Sequence, residues 1–293
     1  MNSQAIFPIK YKCAEPLDKH TSFKIGGIAQ YWAQPRDARQ LARLLAWCKK
    51  HKKRVRIIGA GSNILVSDRG VSGIVVKLDS AHLAAIKRIG SRVIAGAGRP
   101  LAGLVAFCSR NGLSGAEFLS GIPGTVGGAI VGNAGTKDKS IGDLVEFVVV
   151  MDYNGQVKRM KRADLKFSYR SSNLAKCVVL QACLKLVKRD KCAIRRTISG
   201  YVSSRRASQG AGWLSAGCCF KNPPGDSAGR LIDACGFKGA RCGNAMVSKK
   251  HANFILNDGS ASAADVMALM RRISQKVKKR YGIRLEPEIK IWR

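Results

Sequence analysis

Acidic residues are scarce in this chain: 18 Asp and Glu stand against 52 Lys and Arg in 293 residues, a net charge of +34. An excess of that size attracts polyanions in general. The basic residues do not form a tail. They fall in clusters such as Lys49-Lys50, 52–56 and 271–280, within or beside segments with an apolar helical face. That pattern reads as solvated helix surface whose field favours anionic ligands without choosing among them. The ten cysteines contain no C-x-x-C pair and no zinc-ribbon spacing, and Cys48, Cys108 and Cys183 sit inside apolar runs. Reduced thiols are expected rather than a disulfide framework, and no metal site. No apolar run approaches the ~20 residues of a membrane span. The first ten residues lack the basic and apolar regions of a secretory leader, so a cytoplasmic protein is expected. Neither an internal repeat nor a low-complexity tract occurs.

What is present supports a folded protein. The hydrophobic fraction is 46%, enough for a real core, and the length suits two or three domains. A strand is predicted over 28–33 and a helix over 37–50, where Leu41, Leu44, Leu45 and Cys48 recur at helical spacing. A strand over 55–58 runs into Gly59-Ala60-Gly61-Ser62-Asn63, and a second apolar run follows at 73–78. Position 64 is Ile, and no helix opens after the loop, which excludes the dinucleotide fingerprint of strand, G-x-G-x-x-G and helix. A strand over 92–97 precedes a helix over 100–110. Asn154-Gly155 between 144–152 and 156–160 marks a hairpin. Further elements are a strand over 178–187, helices over 190–208, 227–235 and 261–280, and strands over 252–256 and 286–292. Composition changes near 188–196, where a boundary is placed. The order is mixed α+β, not alternating.

Three sets of residues carry chemistry. The stretch 121–128 holds four glycines in eight residues, and Gly132-Asn133-Ala134-Gly135 follows. Without Cβ atoms, such loops let backbone N–H groups approach a phosphate. Together with 59–63 they point to a diphosphate-binding floor. Second, Gly217-Cys218-Cys219-Phe220-Lys221-Asn222-Pro223 sets two thiols, a cation and an amide on a turn of small residues. Third, Arg170 in Phe167-Ser168-Tyr169-Arg170 and Glu288 in Leu285-Glu286-Pro287-Glu288 offer a planar cation and a carboxyl group.

In order along the chain, His20 to Gly27, Gly59 to Asn63, Gly121 to Gly135, Phe167 to Ser172, Gly217 to Pro223, Ser227 to Asp233, Val247 to Ile255 and Leu285 to Glu288 resemble the UDP-N-acetylenolpyruvoylglucosamine reductases of peptidoglycan precursor synthesis. The resemblance covers nearly the whole chain. It implies a two-part FAD-binding unit of the vanillyl-alcohol-oxidase (PCMH) type, over 1–85 and 86–189. A C-terminal α+β substrate-binding domain would follow over 190–293, its final strand (about 284–293) returning toward the active site. The absence of an extra loop over 210–217 resembles the compact subgroup.

It further implies that NADPH reduces FAD, which then reduces UDP-N-acetylglucosamine enolpyruvate to UDP-N-acetylmuramate. By position, Arg170 and Glu288 would hold and polarise the substrate carboxylate. A carboxyl facing a carboxylate calls for a proton or a neighbouring cation. Cys218 stands where the family has serine, as proton donor, with Cys219 a packing thiol. Tyr169, Lys221 and Asn222 would bind substrate. Gly59, Gly61, Ser62, Asn63, Gly124, Thr125, Gly127, Gly128, Asn133, Ala134 and Gly135 would bind FAD. His251 is assigned no chemistry. A monomer with no specific nucleic-acid and no membrane partner is expected. The competing expectations are another FAD-dependent oxidoreductase on the same fold and, from charge alone, a nucleic-acid-binding protein.

Overall fold

The computed structural model describes residues 7–210, 212 and 214–293; Ala211 and Trp213, inside the short 210–217 connection, lie outside the described residues. The chain packs as two units, and neither is continuous in sequence. The first gathers residues up to Cys13, then Tyr31–Ala60 and Ser72–Val202. The second gathers Ala14–Gln30, Gly61–Val71 and Ser203–Arg293. The helices are α1 (Ala38–Lys50), α2 (Leu101–Arg110), α3 (Val126–Val131), α4 (Lys191–Gln209), α5 (Ala228–Ala234) and α6 (Ala263–Tyr281).

The first unit is built on a five-stranded antiparallel sheet, in the order Val157–Lys161, Val145–Met151, Val178–Lys185, Arg92–Gly96, Ile86–Ile89. The central strand, VVLQACLK, is almost uninterruptedly apolar and buried, as a strand covered on both faces must be. Leu101 and Leu104 of α2 and Val126 and Ile130 of α3 join its core. The two edge strands are exposed and carry Lys158, Arg159 and Lys161 on one side, Lys87 and Arg88 on the other. Charge on an edge discourages pairing with another chain, which accounts for part of the basic excess.

Val55–Ile58 and Val71–Lys77 pair in parallel, Val55 opposite Ile74. They belong to a four-stranded sheet that also contains Tyr11–Pro16 and Ile28–Ala33. α1 buries Leu41, Leu44, Leu45 and Cys48, the stripe its sequence predicts, and Asp37 caps it by accepting from Gln40 N at 2.8 Å.

In the second unit, α6 buries Val266, Leu269, Met270, Ile273 and Val277 and keeps Arg271, Arg272, Lys276, Lys278, Lys279 and Arg280 in solvent. Its N-terminus has a Ser262–Asp265 capping box. Asp68 also accepts there, from Ala263 N at 2.7 Å and Ala264 N at 3.0 Å. Two carboxylates, Asp68 and Asp265, thus sit at the start of α6, where negative charge is favourable. A three-stranded sheet (Arg241–Cys242, Ala245–Val247, Ile255–Asn257) and a parallel pair of Lys290–Trp292 with Ile64–Val66 complete the unit. Among the described residues no helix is long and apolar enough to cross a membrane.

Three expected strands have different bounds. The strand predicted over 178–187 ends at Lys185, and Val187–Lys188 instead pairs with Leu113–Ser114. The one predicted over 252–256 is Ile255–Asn257, because Ser248 Oγ accepts from Lys250 N and His251 N and holds the preceding residues in a turn. The last strand is Lys290–Trp292 rather than 286–292: Pro287 has no N–H to donate and forms only an isolated bridge with Phe220.

Candidate active site

The two glycine-rich segments of the first unit approach each other closely. A Cβ on Gly59 would stand 2.5 Å from Thr125 Oγ1, so this position admits no side chain. Thr125 caps α3, its hydroxyl accepting from Gly128 N at 3.4 Å. Gly128 is exposed, and a Cβ there would meet nothing nearer than Thr125 Oγ1 at 3.6 Å. The result is a bare stretch of backbone with an open side and a hydroxyl beside it. Val126 N and Gly127 N are taken by Arg99 O at 2.9 Å and Ala97 O at 2.8 Å, so this stretch offers a phosphate close approach and the Thr125 hydroxyl, which fit the diphosphate of FAD. Ala134 and Gly135 are engaged within their own loop: Ala134 N donates to Ala129 O, Ile141 N donates to Ala134 O, and Gly135 bridges Ser140.

Asn133 is 8% exposed and lies at φ 44°. Its Nδ2 donates to Ser168 O at 3.0 Å and its Oδ1 accepts from Gly142 N at 3.1 Å. Its amide therefore anchors the short hairpin of Phe167–Ser168 and Ser171–Ser172. Ser172 Oγ adds a second anchor, donating to Val131 O at 2.8 Å. At the hairpin tip Tyr169 is 52% exposed, while Arg170 is half-buried, its Cζ 5.4 Å from the Tyr169 ring centre. Arg170 lies at φ 54°, a left-handed backbone unusual for a side chain of that size. Strain of this kind persists only where the surroundings impose it. Replacing Asn133 with alanine strands the buried Gly142 N–H and frees the part-buried Ser168 carbonyl, so we expect a stability loss of about 1–3 kcal/mol, read from the urea midpoint.

In the second unit Gly61 begins at φ 64°, and a Cβ would strike His20 O. Ser22 N donates to Gly61 O at 3.2 Å, and Ser22 Oγ to Ser215 O at 2.6 Å. Asn63 follows, its Nδ2 donating to Glu288 O at 3.3 Å and its carbonyl accepting from Lys290 N at 3.0 Å. The end of the glycine loop is thus tied to the segment that carries Glu288.

The thiol segment lies between two others. On one side Cys218 bridges Phe254, and Cys219 N donates to Asn253 O at 2.8 Å. On the other, Glu288 N donates to Cys219 O and Lys221 N to Glu286 O, both at 2.8 Å, with Phe220 bridging Pro287. Alternation along extended backbone sends neighbouring side chains to opposite faces. Cys219 is 0% exposed within the core cluster, while Cys218 is half-buried. Burial above all, with Cys218 and Glu288 adding to it, pushes the Cys219 thiol up to about 12. Cys219 is therefore a protonated core thiol at neutral pH, and Cys218 is the thiol of this pair that a ligand can reach. Lys221 Nζ stands 3.2 Å from Glu286 Oε2, and Asn222 Oδ1 accepts from Ala228 N at 3.0 Å, at the start of α5.

Sequence reasoning assigned no role to Asn253, yet its side chain clamps the thiol segment. Its Oδ1 accepts from Phe220 N at 3.0 Å and its Nδ2 donates to Phe220 O at 2.8 Å, all buried. The available signal was an amide inside an otherwise apolar stretch, Ala252-Asn253-Phe254-Ile255. His251 stacks edge-on against Phe254 at 4.8 Å, and burial pushes its imidazole down.

Comparison with known proteins agrees with this geometry. Residues 209–292 match the family of UDP-N-acetylenolpyruvoylglucosamine reductase C-terminal domains, and 29–161 the FAD binding domain family. The reductase of Moorella thermoacetica is 44% identical over 279 residues, spanning 95% of this chain and 92% of its own. The chain belongs to the UDP-N-acetylenolpyruvoylglucosamine reductase family. The Listeria monocytogenes reductase is 38% identical over 99% of this chain and 98% of its own. The crystal structure of the Thermus caldophilus reductase superposes with a TM-score of 0.82 at 37% identity, covering 97% of this chain and 98% of its own. Family membership makes this an FAD flavoprotein with an FAD-binding part and a C-terminal reductase domain, α+β in its elements.

Proposed function

We propose that this chain reduces UDP-N-acetylglucosamine enolpyruvate to UDP-N-acetylmuramate, with FAD bound and NADPH as the hydride donor, in peptidoglycan precursor synthesis. Bound FAD supplies hydride relay from NADPH to the enolpyruvyl double bond. Gly59, Gly124, Thr125, Gly127, Gly128, Asn133, Ala134 and Gly135, with Gly61, Ser62 and Asn63, would hold it. Among these Asn133, Ala134 and Gly135 act through loop shape. In functional terms, 1–85 and 86–189 serve the flavin and 190–293 the substrate, a division separate from how the chain packs.

Hydride arriving at one carbon of an enol ether beside a carboxylate builds negative charge on the other carbon and on the carboxylate. Two functions are then required of the protein: stabilisation of that charge and delivery of a proton. Arg170 provides a fixed cation with a fork that matches a carboxylate. Glu288 orients the same group when protonated or paired. Cys218 gives its Sγ proton to the carbon that carries the charge, leaving a thiolate to be reprotonated from solvent. Tyr169, Lys221 and Asn222 position the substrate. The observation that carries this reading is the hydrogen bond from Glu288 N to Cys219 O, which sets the Cys218 and Glu288 segments on adjoining backbone. The chain is read as a cytoplasmic monomer that needs no nucleic acid or membrane.

The test is direct. Purified protein should be yellow, should oxidise NADPH only when the enolpyruvyl substrate is supplied, and should convert it to the lactyl ether. Turnover of an alcohol or sugar with oxygen, and none with NADPH and the enolpyruvyl sugar, would assign the other flavoenzyme reading.

A further inference from the structure

The chain constrains Cys218 unequally on its two sides. Before it, Gly217 lies at φ 76° in open space, where a Cβ would meet nothing within 4 Å. After it, Cys219 and Phe220 are 0% and 2% exposed, and each of their backbone groups has a partner. Glu288 N supplies Cys219 O; the other three bonds go to Asn253. The bridge between Phe220 and Pro287 is framed by bonds from Glu288 N and Lys221 N, so it leaves both backbone groups of Phe220 to be satisfied elsewhere. The Asn253 amide satisfies both. Its two ends cannot be exchanged, because Phe220 N only donates and Phe220 O only accepts. Asn253 is itself braced: its N donates to His251 Nδ1 at 3.3 Å, and Phe254 N donates to His251 O at 2.9 Å.

Proton delivery depends on where the donor stands, and a displacement of about 1 Å can cost ~10²-fold in rate. Gly217 is free to absorb such a displacement. The bonds to Asn253 oppose it. We propose that Asn253 is a positioning residue for the reduction step, holding Cys219 and Phe220 so that the Cys218 thiol stands where the negative charge develops. At 3% exposure it does so through the backbone of the donor segment, not by touching the reactants. This rests on the role of Cys218 given above and adds to it a residue to which neither the thiol pattern nor the charge requirement points.

The experiment measures the two half-reactions of the FAD-loaded full chain separately, by rapid mixing. The proteins are wild type, Asn253→Ala, Asn253→Asp, Cys218→Ala and the double variant Cys218→Ala/Asn253→Ala. Asn253→Asp keeps the size and the acceptor and loses the donor to Phe220 O. Losing buried hydrogen bonds lowers stability, so each protein is assayed well below its own unfolding midpoint. In both Asn253 variants NADPH should reduce the flavin at the wild-type rate. Reduction of the enolpyruvyl substrate at saturation should slow about 10–100-fold, with substrate affinity unchanged. With Cys218 already replaced, Asn253→Ala should slow the residual rate no further, since the group it positions is gone. An unchanged substrate step in Asn253→Ala would overturn the inference, as would further slowing in the double variant. A raised substrate KM with the saturated rate intact would place Asn253 in substrate binding and overturn it too. Equal slowing of the two half-reactions, or loss of the fold in both Asn253 variants, would make the amide structural, with the same result. Any of these outcomes beside an inactive Cys218→Ala leaves the role of Cys218 standing. A Cys218→Ala variant with the wild-type rate would instead overturn that role, and this inference with it.

Discussion

Cys218→Ala is expected to abolish reduction of the enolpyruvyl substrate while NADPH still reduces the flavin at the wild-type rate. Removing a positioned general acid costs on the order of 10²–10⁴ in rate, and the loss should fall wholly on the second half-reaction. Rapid mixing of the enzyme with NADPH alone, then with substrate, separates the two steps. Cys218→Ser should retain turnover, because a hydroxyl has a transferable proton at the same place. The two acids differ in one respect. A thiol can ionise within the accessible alkaline range and a serine hydroxyl cannot, so the alkaline fall in product formation should be present with Cys218 and absent in Cys218→Ser. Cys219→Ala provides the contrast. It removes a core thiol that is 0% exposed and should lower stability without selectively stopping the second half-reaction. If Cys218→Ala reduced the substrate at the wild-type rate, Cys218 would have no part in the mechanism.

The second large effect concerns Arg170→Gly. A left-handed backbone costs a residue with a Cβ roughly 1 kcal/mol relative to glycine. At φ 54° the glycine variant relieves that cost while deleting the guanidinium. The chain should be as stable as wild type or slightly more so, yet lose on the order of 10²–10³ in the rate of substrate reduction, the scale for removing one preorganised charge-stabilising group. Stability and activity moving in opposite directions is the signature of strain maintained for function. Urea unfolding and the substrate half-reaction, measured on the same preparation, read both. A variant that loses stability and keeps its rate would make Arg170 a structural residue of the hairpin.

Much of the local structure was legible in the sequence. The stripe of Leu41, Leu44, Leu45 and Cys48, the Asn-Gly hairpin and the long amphipathic α6 each follow from short-range periodicity or turn chemistry, and all are present. Errors occurred where a distant partner decided the outcome. The strand expected over 178–187 divides because Val187 and Lys188 find a partner in Leu113–Ser114. The strand Tyr11–Pro16 and the pair Arg241–Cys242 and Ala245–Val247 gave no clear alternation in short, mixed segments. Asn253 was passed over because a single amide in an apolar run looks the same whether it faces solvent or clamps a loop.

The sequence by itself determined the kind of protein: an α+β chain with bare glycine loops and, in family order, Arg170, Cys218 and Glu288. Composition, periodicity and motif order are properties of neighbours along the chain, so they survive without coordinates. Tertiary structure decided the rest. It joined Ile64–Val66 to Lys290–Trp292 and placed Gly61 with the C-terminal residues while Gly59 went with the others. It also turned Cys219 into the core while leaving Cys218 accessible. These outcomes depend on which remote backbone groups satisfy one another and which side chains leave water together, and no local pattern encodes that choice.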